Sequence, residues 1–294
     1  MQTFEGKTAV ITGAASGIGL ALAEKAASER MNVVLADIEE DALERAVRHI
    51  EERQVRAIGV PVNTMLEESV QSVAERAIAE FGKVHLLFNN AGVASAATAG
   101  KPIWEVPDAD WNWVMGVNFY GVLYGIRAFV PHMLEHGEPS HIVNTASLAA
   151  VMPGGGTYGV SKHAVLALTE GLQRDFAERG ANINASVLCP GFVNTNIHKA
   201  ERNRPREVET VRANPEIEEM GMALMQDMLS RGKAPSEVAD IVFSSVSEHR
   251  FYILPHPSWD EFVRGRVEQI LARGPVASMD MTEMQRRREE GEVF

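Results

Sequence analysis

Cysteine is nearly absent from this 294-residue chain, and the single Cys189 can neither form an intrachain disulfide nor anchor a zinc cluster alone. A reducing, cytoplasmic setting is the expectation. Positive charge is also scarce: 28 Lys and Arg stand against 40 Asp and Glu, and the net charge of -12 repels a nucleic-acid backbone or an anionic lipid surface at long range. Neither is an expected partner. No run of about 18 consecutive apolar residues occurs, and MQTFEGKTAV at the start lacks a basic segment followed by an apolar one. Membrane insertion and secretion are therefore not expected. The nine histidines show no metal spacing, since His132 and His136 lie four apart without a third ligand, so no metal is expected.

What is present suits a packed core: 45% of residues are hydrophobic and 23% charged. Short apolar runs recur at Thr8–Thr12, Asn32–Ala36, Val55–Val60, Val84–Asn89, His141–Ala146, Ile183–Leu188 and Arg250–Leu254. Between them Leu43, Val47, Ile50 and Val70, Val73, Ala77 repeat at helical spacing. About seven strands alternating with helices predict an α/β fold, a doubly wound parallel sheet of Rossmann type with helices on both faces. No repeat or Pro/Gly/Ser linker divides the chain. The expectation is one domain over 1–273, with a lid at about 196–232 and a tail at 274–294.

Directly after the first strand stands TGAASGIG, Thr12 to Gly19, followed by a helix from about Ile18. Gly13 and Gly17 allow a sharp turn and close approach to a pyrophosphate, Gly19 allows tight packing of helix on strand, and Ser16 adds a hydroxyl. A glycine turn can also be only a turn. Asp37, at the end of the second strand and about 20 residues beyond Gly17, is placed to hydrogen-bond a ribose diol. It would repel a 2′-phosphate, which favours NAD over NADP; its other reading is a helix N-cap.

In TYGVSKHAV, Tyr158 and Lys162 are four residues apart and share a helix face. Alone, such a pair is most often an exposed contact worth a few tenths of a kcal/mol. As a dyad, the lysine ammonium would depress a phenol whose ordinary pKa is about 10.

With TGAASGIG, NNAG at Asn89–Gly92 and YGVSK in this order, residues from roughly Phe4 to Ser247 resemble a short-chain dehydrogenase/reductase. Asn118 in GVNFYG, Ser147 in IVNTAS and PGFVNT at Pro190–Thr195 strengthen the resemblance. It implies NAD-dependent interconversion of an alcohol and a ketone, with Asn118, Ser147, Tyr158 and Lys162 as catalytic residues. It implies a cofactor site of Gly13, Ser16, Gly17, Ile18, Gly19, Asp37, Ile38, Val62, Asn63, Asn90, Gly92, Tyr158, Lys162, Val193 and Thr195. It also implies a homodimer or homotetramer. Two features depart from the family pattern: Asn63 stands where aspartate is frequent, and the stretch from Ser147 to Tyr158 is short.

The C-terminal FYILPHPSWDEFVRGRVEQIL resembles a branch that includes Cα-dehydrogenases of lignin-derived aryl ethers, which implies a bulky aromatic or benzylic alcohol. Met220, Leu224 and Met228 at helical spacing, with Met222 and Met225 nearby, suggest either a pliable apolar lid or a helix packed on the core. Ser95, Leu148, Met152, Phe192 and Asn194 are the remaining pocket candidates; Trp104, Trp111 and Trp113 read as packing residues. The competing reading is a non-catalytic NAD-binding sensor, and the presence of all four catalytic residue types argues against it.

Overall fold

The computed structural model describes residues 3–95, 101–153, 155–208, 215–276 and 286. The expected tail lies outside them apart from 274–276 and 286, as do 209–214 of the expected lid. The chain runs β1 Thr8–Thr12, α1 Gly17–Ser28, β2 Asn32–Asp37, α2 Glu40–Glu51, β3 Ala57–Pro61, α3 Glu67–Phe81 and β4 Leu86–Asn89. It continues through α4 Asp108–Met115, α5 Gly121–His136, β5 Ser140–Thr145, α6 Gly156–Glu178 and β6 Ile183–Leu188. Helices α7 Pro215–Ser230 and α8 Pro235–Ser247, strand β7 Tyr252–Ile253 and helix α9 Asp260–Leu271 complete it.

All seven strands are parallel, in the order β3-β2-β1-β4-β5-β6-β7. Alternation along β1 divides the core, because Ala9 and Ile11 pack on one face with α1 and α8 while Val10 packs on the other with α3 and α5. Strand boundaries depart from expectation mainly at the edges. The expected Val55–Val60 strand begins at Ala57, and β7 contains only two residues because only Tyr252 and Ile253 pair with β6 before Pro255, which has no N–H to donate.

Local chemistry sets the helix ends. Glu40 and Asp41 open α2, and Arg48 and His49 close it, each matched to the helix dipole. Pro235 starts α8, and Glu237 accepts from the Ala234 N–H at 2.9 Å. The helical run from Asp108 to His136 is long and apolar enough, by length and composition, to cross a membrane. In this fold it is a core element, with Trp113, Val122, Phe129 and Met133 buried.

Candidate active site

The strand order reverses between β1 and β4, so the loops after these strands diverge and leave a crevice at the carboxyl end of the sheet. A cavity of about 600 Å³ opens there. Every residue expected to touch the dinucleotide lines it except Gly19, and of the four residues expected to be catalytic only Asn118 does not.

The glycine turn fits a nucleotide phosphate group. Gly17 begins α1 with φ +56°, in the left-handed region, and a methyl at Gly19 would stand 2.0 Å from the Gly13 carbonyl oxygen. The backbone is thereby held low enough for the α1 N-terminus to face the cavity at Ser16, Gly17 and Ile18. Asp37 ties this turn to β2: its carboxylate accepts from Ala15 N–H at 2.9 Å and Glu39 N–H at 3.0 Å. Burial pushes its pKa up, and these N–H bonds oppose the shift. Asn90 secures the other wall by donating to Thr12 O at 3.0 Å. Below it, Asn89 donates to Asn144 at 2.8 Å and Asn144 to Thr169 at 3.1 Å, a buried polar chain joining β4, β5 and α6. Asn63 curls back, its side-chain oxygen accepting from Met65 N–H at 3.0 Å.

At the inner end of the cleft, α6 presents Tyr158 and Lys162 one turn apart. Lys162 is only 2% exposed; its Nζ donates to Thr145 O at 3.0 Å and lies 5.6 Å from the centre of the Tyr158 ring. Ser147 and Tyr158 line the same stretch of the cavity. Burial raises the phenol's pKa, the Ser147 side chain opposes that shift, and burial lowers Lys162 to about 8. This is opposite to the direction expected for Tyr158 from its spacing to the lysine, because desolvation of the buried phenol dominates. Asn118 sits in a wide turn, Gly116–Tyr120, between α4 and α5. Its Oδ1 accepts from Val93 N–H at 2.8 Å, and its Nδ2 donates to Val93 O and Ser161, both at 3.0 Å.

The family model for short chain dehydrogenases matches residues 7–206. The chain belongs to this family. It is 34% identical over 280 residues to the CLA biosynthesis dehydrogenase/reductase of Lactiplantibacillus plantarum, covering 93% of this chain and 96% of that one. It is 32% identical over 274 residues to the C alpha-dehydrogenase of Sphingobium sp. strain SYK-6, covering 92% and 87%. A solved short chain dehydrogenase/reductase from Burkholderia phymatum, in complex with NAD, superposes with a TM-score of 0.90 at 44% identity, covering 95% of this chain and 99% of that one.

The lid is held by charged anchors. Arg202 Nε and Asn203 Nδ2 both donate to Glu39 Oε1 at 3.1 Å, bridging the mouth of the cavity beside Asp37. Arg204 donates to Asp110 Oδ1 at 2.7 Å, Glu201 Oε2 at 2.6 Å and Ser95 Oγ at 2.9 Å, and its guanidinium lies 4.0 Å from the Trp113 ring centre. Sequence spacing missed these anchors because Glu39, Ser95 and Asp110 are remote from them along the chain.

The pocket candidates Ser95, Leu148, Met152 and Phe192 line the cavity. Asn194 does not: it is exposed and faces a separate depression with Leu20 and Glu24. Met220 and Leu224 are exposed on α7, and the residues α7 contributes to the cavity are Met225 and Leu229. Among the tryptophans, Trp113 is fully buried while Trp104 is 81% exposed and packs on little. Sequence reasoning missed Trp259, which is buried and lines the cavity beside Leu148, Met152 and Phe192. Cys189 is buried behind the site, and burial pushes its thiol up to about 12, which keeps it an unreactive packing group. Among the described residues, no group of three or more His, Cys, Asp or Glu is arranged to hold a metal.

Proposed function

We propose that this protein is an NAD-dependent oxidoreductase that interconverts a secondary alcohol and a ketone, with Tyr158 as acid and base. The observation carrying this reading is one cavity lined by Asp37 and the glycine turn at one end and by Ser147, Tyr158 and buried Lys162 at the other. The NAD complex of the Burkholderia relative supports the cofactor. Asp37 supports NAD over NADP because a carboxylate repels a 2′-phosphate, and Arg202, a cation lining the same cavity, is paired with Glu39.

The turn at Gly13 and Ser16–Gly19 holds the pyrophosphate, Asp37 and Ile38 the ribose, and Val62 and Asn63 the adenine. Asn90 and Gly92 border the ribose, and Val193 and Thr195 hold the nicotinamide. Bound NAD supplies the hydride acceptor, and its reduced form the donor. In oxidation, Tyr158 accepts the alcohol proton while the Ser147 hydroxyl donates to the reacting oxygen. Lys162 holds the nicotinamide ribose, and Asn118 holds a water that connects Lys162 to solvent as a proton relay. Reduction reverses these proton transfers.

Leu148, Met152, Phe192 and Trp259 form an apolar and aromatic wall, which supports a bulky, flat substrate such as a benzylic alcohol. Similarity to the Sphingobium C alpha-dehydrogenase points the same way. The working unit is a single catalytic domain over 1–273, assembled as a homodimer or homotetramer in the cytoplasm. The test is NADH formation across a panel of secondary alcohols that includes aryl carbinols. Turnover that disappears in Tyr158→Phe is expected; silence across the panel with intact NAD binding would favour the sensor reading instead.

A further inference from the structure

The segment after β7 reaches the site from behind, and it does so with a histidine. His256 is 1% exposed and lies outside the cavity lining. Its Nδ1 accepts from Gly191 N–H at 3.0 Å, and its Nε2 is 3.0 Å from Phe192 O, to which it donates. One ring nitrogen must accept and the other must donate, which specifies a neutral imidazole carrying its proton on Nε2. Burial lowers the imidazole pKa and so favours that neutral form. The ring is also pressed against the backbone: a methyl on Gly191 would lie 3.1 Å from His256 Cγ and 2.9 Å from Leu148 Cδ1.

The opposite side of the same loop is held by the catalytic segment. Pro190 O accepts from Leu148 N–H at 2.9 Å and, more weakly, from the Ser147 hydroxyl at 3.5 Å. Three successive residues, Pro190, Gly191 and Phe192, are therefore clamped between Ser147 and His256. The chain leaving this clamp carries Val193 and Thr195 into the cavity. Phe192 itself meets Trp259, from the same C-terminal segment as His256, with ring centres 6.1 Å apart.

We infer that His256 is a positioning residue: by gripping the Gly191 amide and the Phe192 carbonyl, it fixes the nicotinamide-holding loop at a set distance from Ser147. The inference rests on the proposed NAD role of that loop. It assigns the C-terminal segment two linked tasks, since the clamp that sets Val193 and Thr195 also sets the Phe192–Trp259 wall. A packing role alone would not select a side chain that both accepts from and donates to the backbone of two successive residues.

Binding of NADH and of ADP-ribose, which lacks the nicotinamide, separates the two roles. His256→Ala is expected to weaken NADH by about tenfold while leaving ADP-ribose within about twofold, the scale of losing buried hydrogen bonds at one end of the ligand. His256→Asn keeps an acceptor near the Nδ1 position and should recover part of the NADH affinity. It carries the same comparison should the alanine variant fail to fold. Equal weakening of both ligands, or no change in either, overturns the inference while leaving the NAD reading intact. A wild-type protein that binds neither ligand overturns both.

Discussion

Lys162 Nζ lies 5.6 Å from the centre of the Tyr158 ring and spends a hydrogen bond on Thr145 O at 3.0 Å. The lysine is thus anchored to the end of β5 with its ammonium over the face of the phenol ring. Both groups are desolvated, which places the phenol above its ordinary value and the ammonium at about 8.

Tyr158→Phe is expected to lower oxidation by roughly 10²- to 10⁴-fold, the usual range for a general acid–base, with NADH affinity nearly unchanged. Because burial raises the phenol, its base form is the minority at neutrality and oxidation should climb with pH. The climb bends near pH 8, where Lys162 gives up its charge. Reduction uses the protonated phenol and should stay flat through neutrality. Rates measured in both directions check the pair; an oxidation rate independent of pH while chemistry limits turnover contradicts Tyr158 as base.

Asp37→Ala removes one acceptor from two backbone N–H groups, Ala15 and Glu39. The expected cost is about 1–3 kcal/mol in stability, the scale of leaving part-buried donors unpaired. Preference for NAD over NADP should fall together with it. Thermal unfolding and paired cofactor titrations read the two effects separately.

Arg204 is 7% exposed at its side chain, and Asp110 is 0% exposed. Arg204→Met would strand Asp110 and Glu201 without their shared cation, a change that costs about 3–5 kcal/mol for a buried pair. The first consequence is release of the 197–208 segment, seen as faster limited proteolysis there. Asp110→Asn in the same chain should restore part of the protection.

Acid should destabilise the fold through its buried histidines. His141 is 0% exposed, shares a 2.7 Å bond with Ser186 and is lowered by burial from 6.5 to about 3. The unfolded chain therefore binds the proton more readily across this window, so stability is present above about pH 6.5 and is lost as pH falls toward 3. His85 and His256 are lowered in the same direction. A melting temperature that falls on acidification, less steeply in His141→Gln, is the expected result.

Much of the cleft was legible because its parts are local. TGAASGIG sits between a strand and a helix, Asp37 closes the next strand, and Tyr158 and Lys162 share one turn of α6. Their counterparts across the cleft were not legible. Met220 and Leu224 have the spacing of a buried stripe yet face outward on α7, while Met225 and Leu229 reach the cavity. Trp104 and Trp113 are the same residue type nine positions apart, one exposed and one fully buried.

The sequence by itself determined the parallel sheet, the glycine turn and the pairing of Tyr158 with Lys162 on one face of α6, because strand alternation, glycine torsions and the i, i+4 relation follow from covalent geometry within a few residues. Tertiary structure alone decided how the cleft is closed and backed. Glu39 meets Arg202 across 163 positions, Asp110 meets Arg204 across 94, and Gly191 meets His256 across 65. Such pairs have no periodic signature, since they form only after packed helices and the paired sheet have brought distant segments together and excluded water from between them.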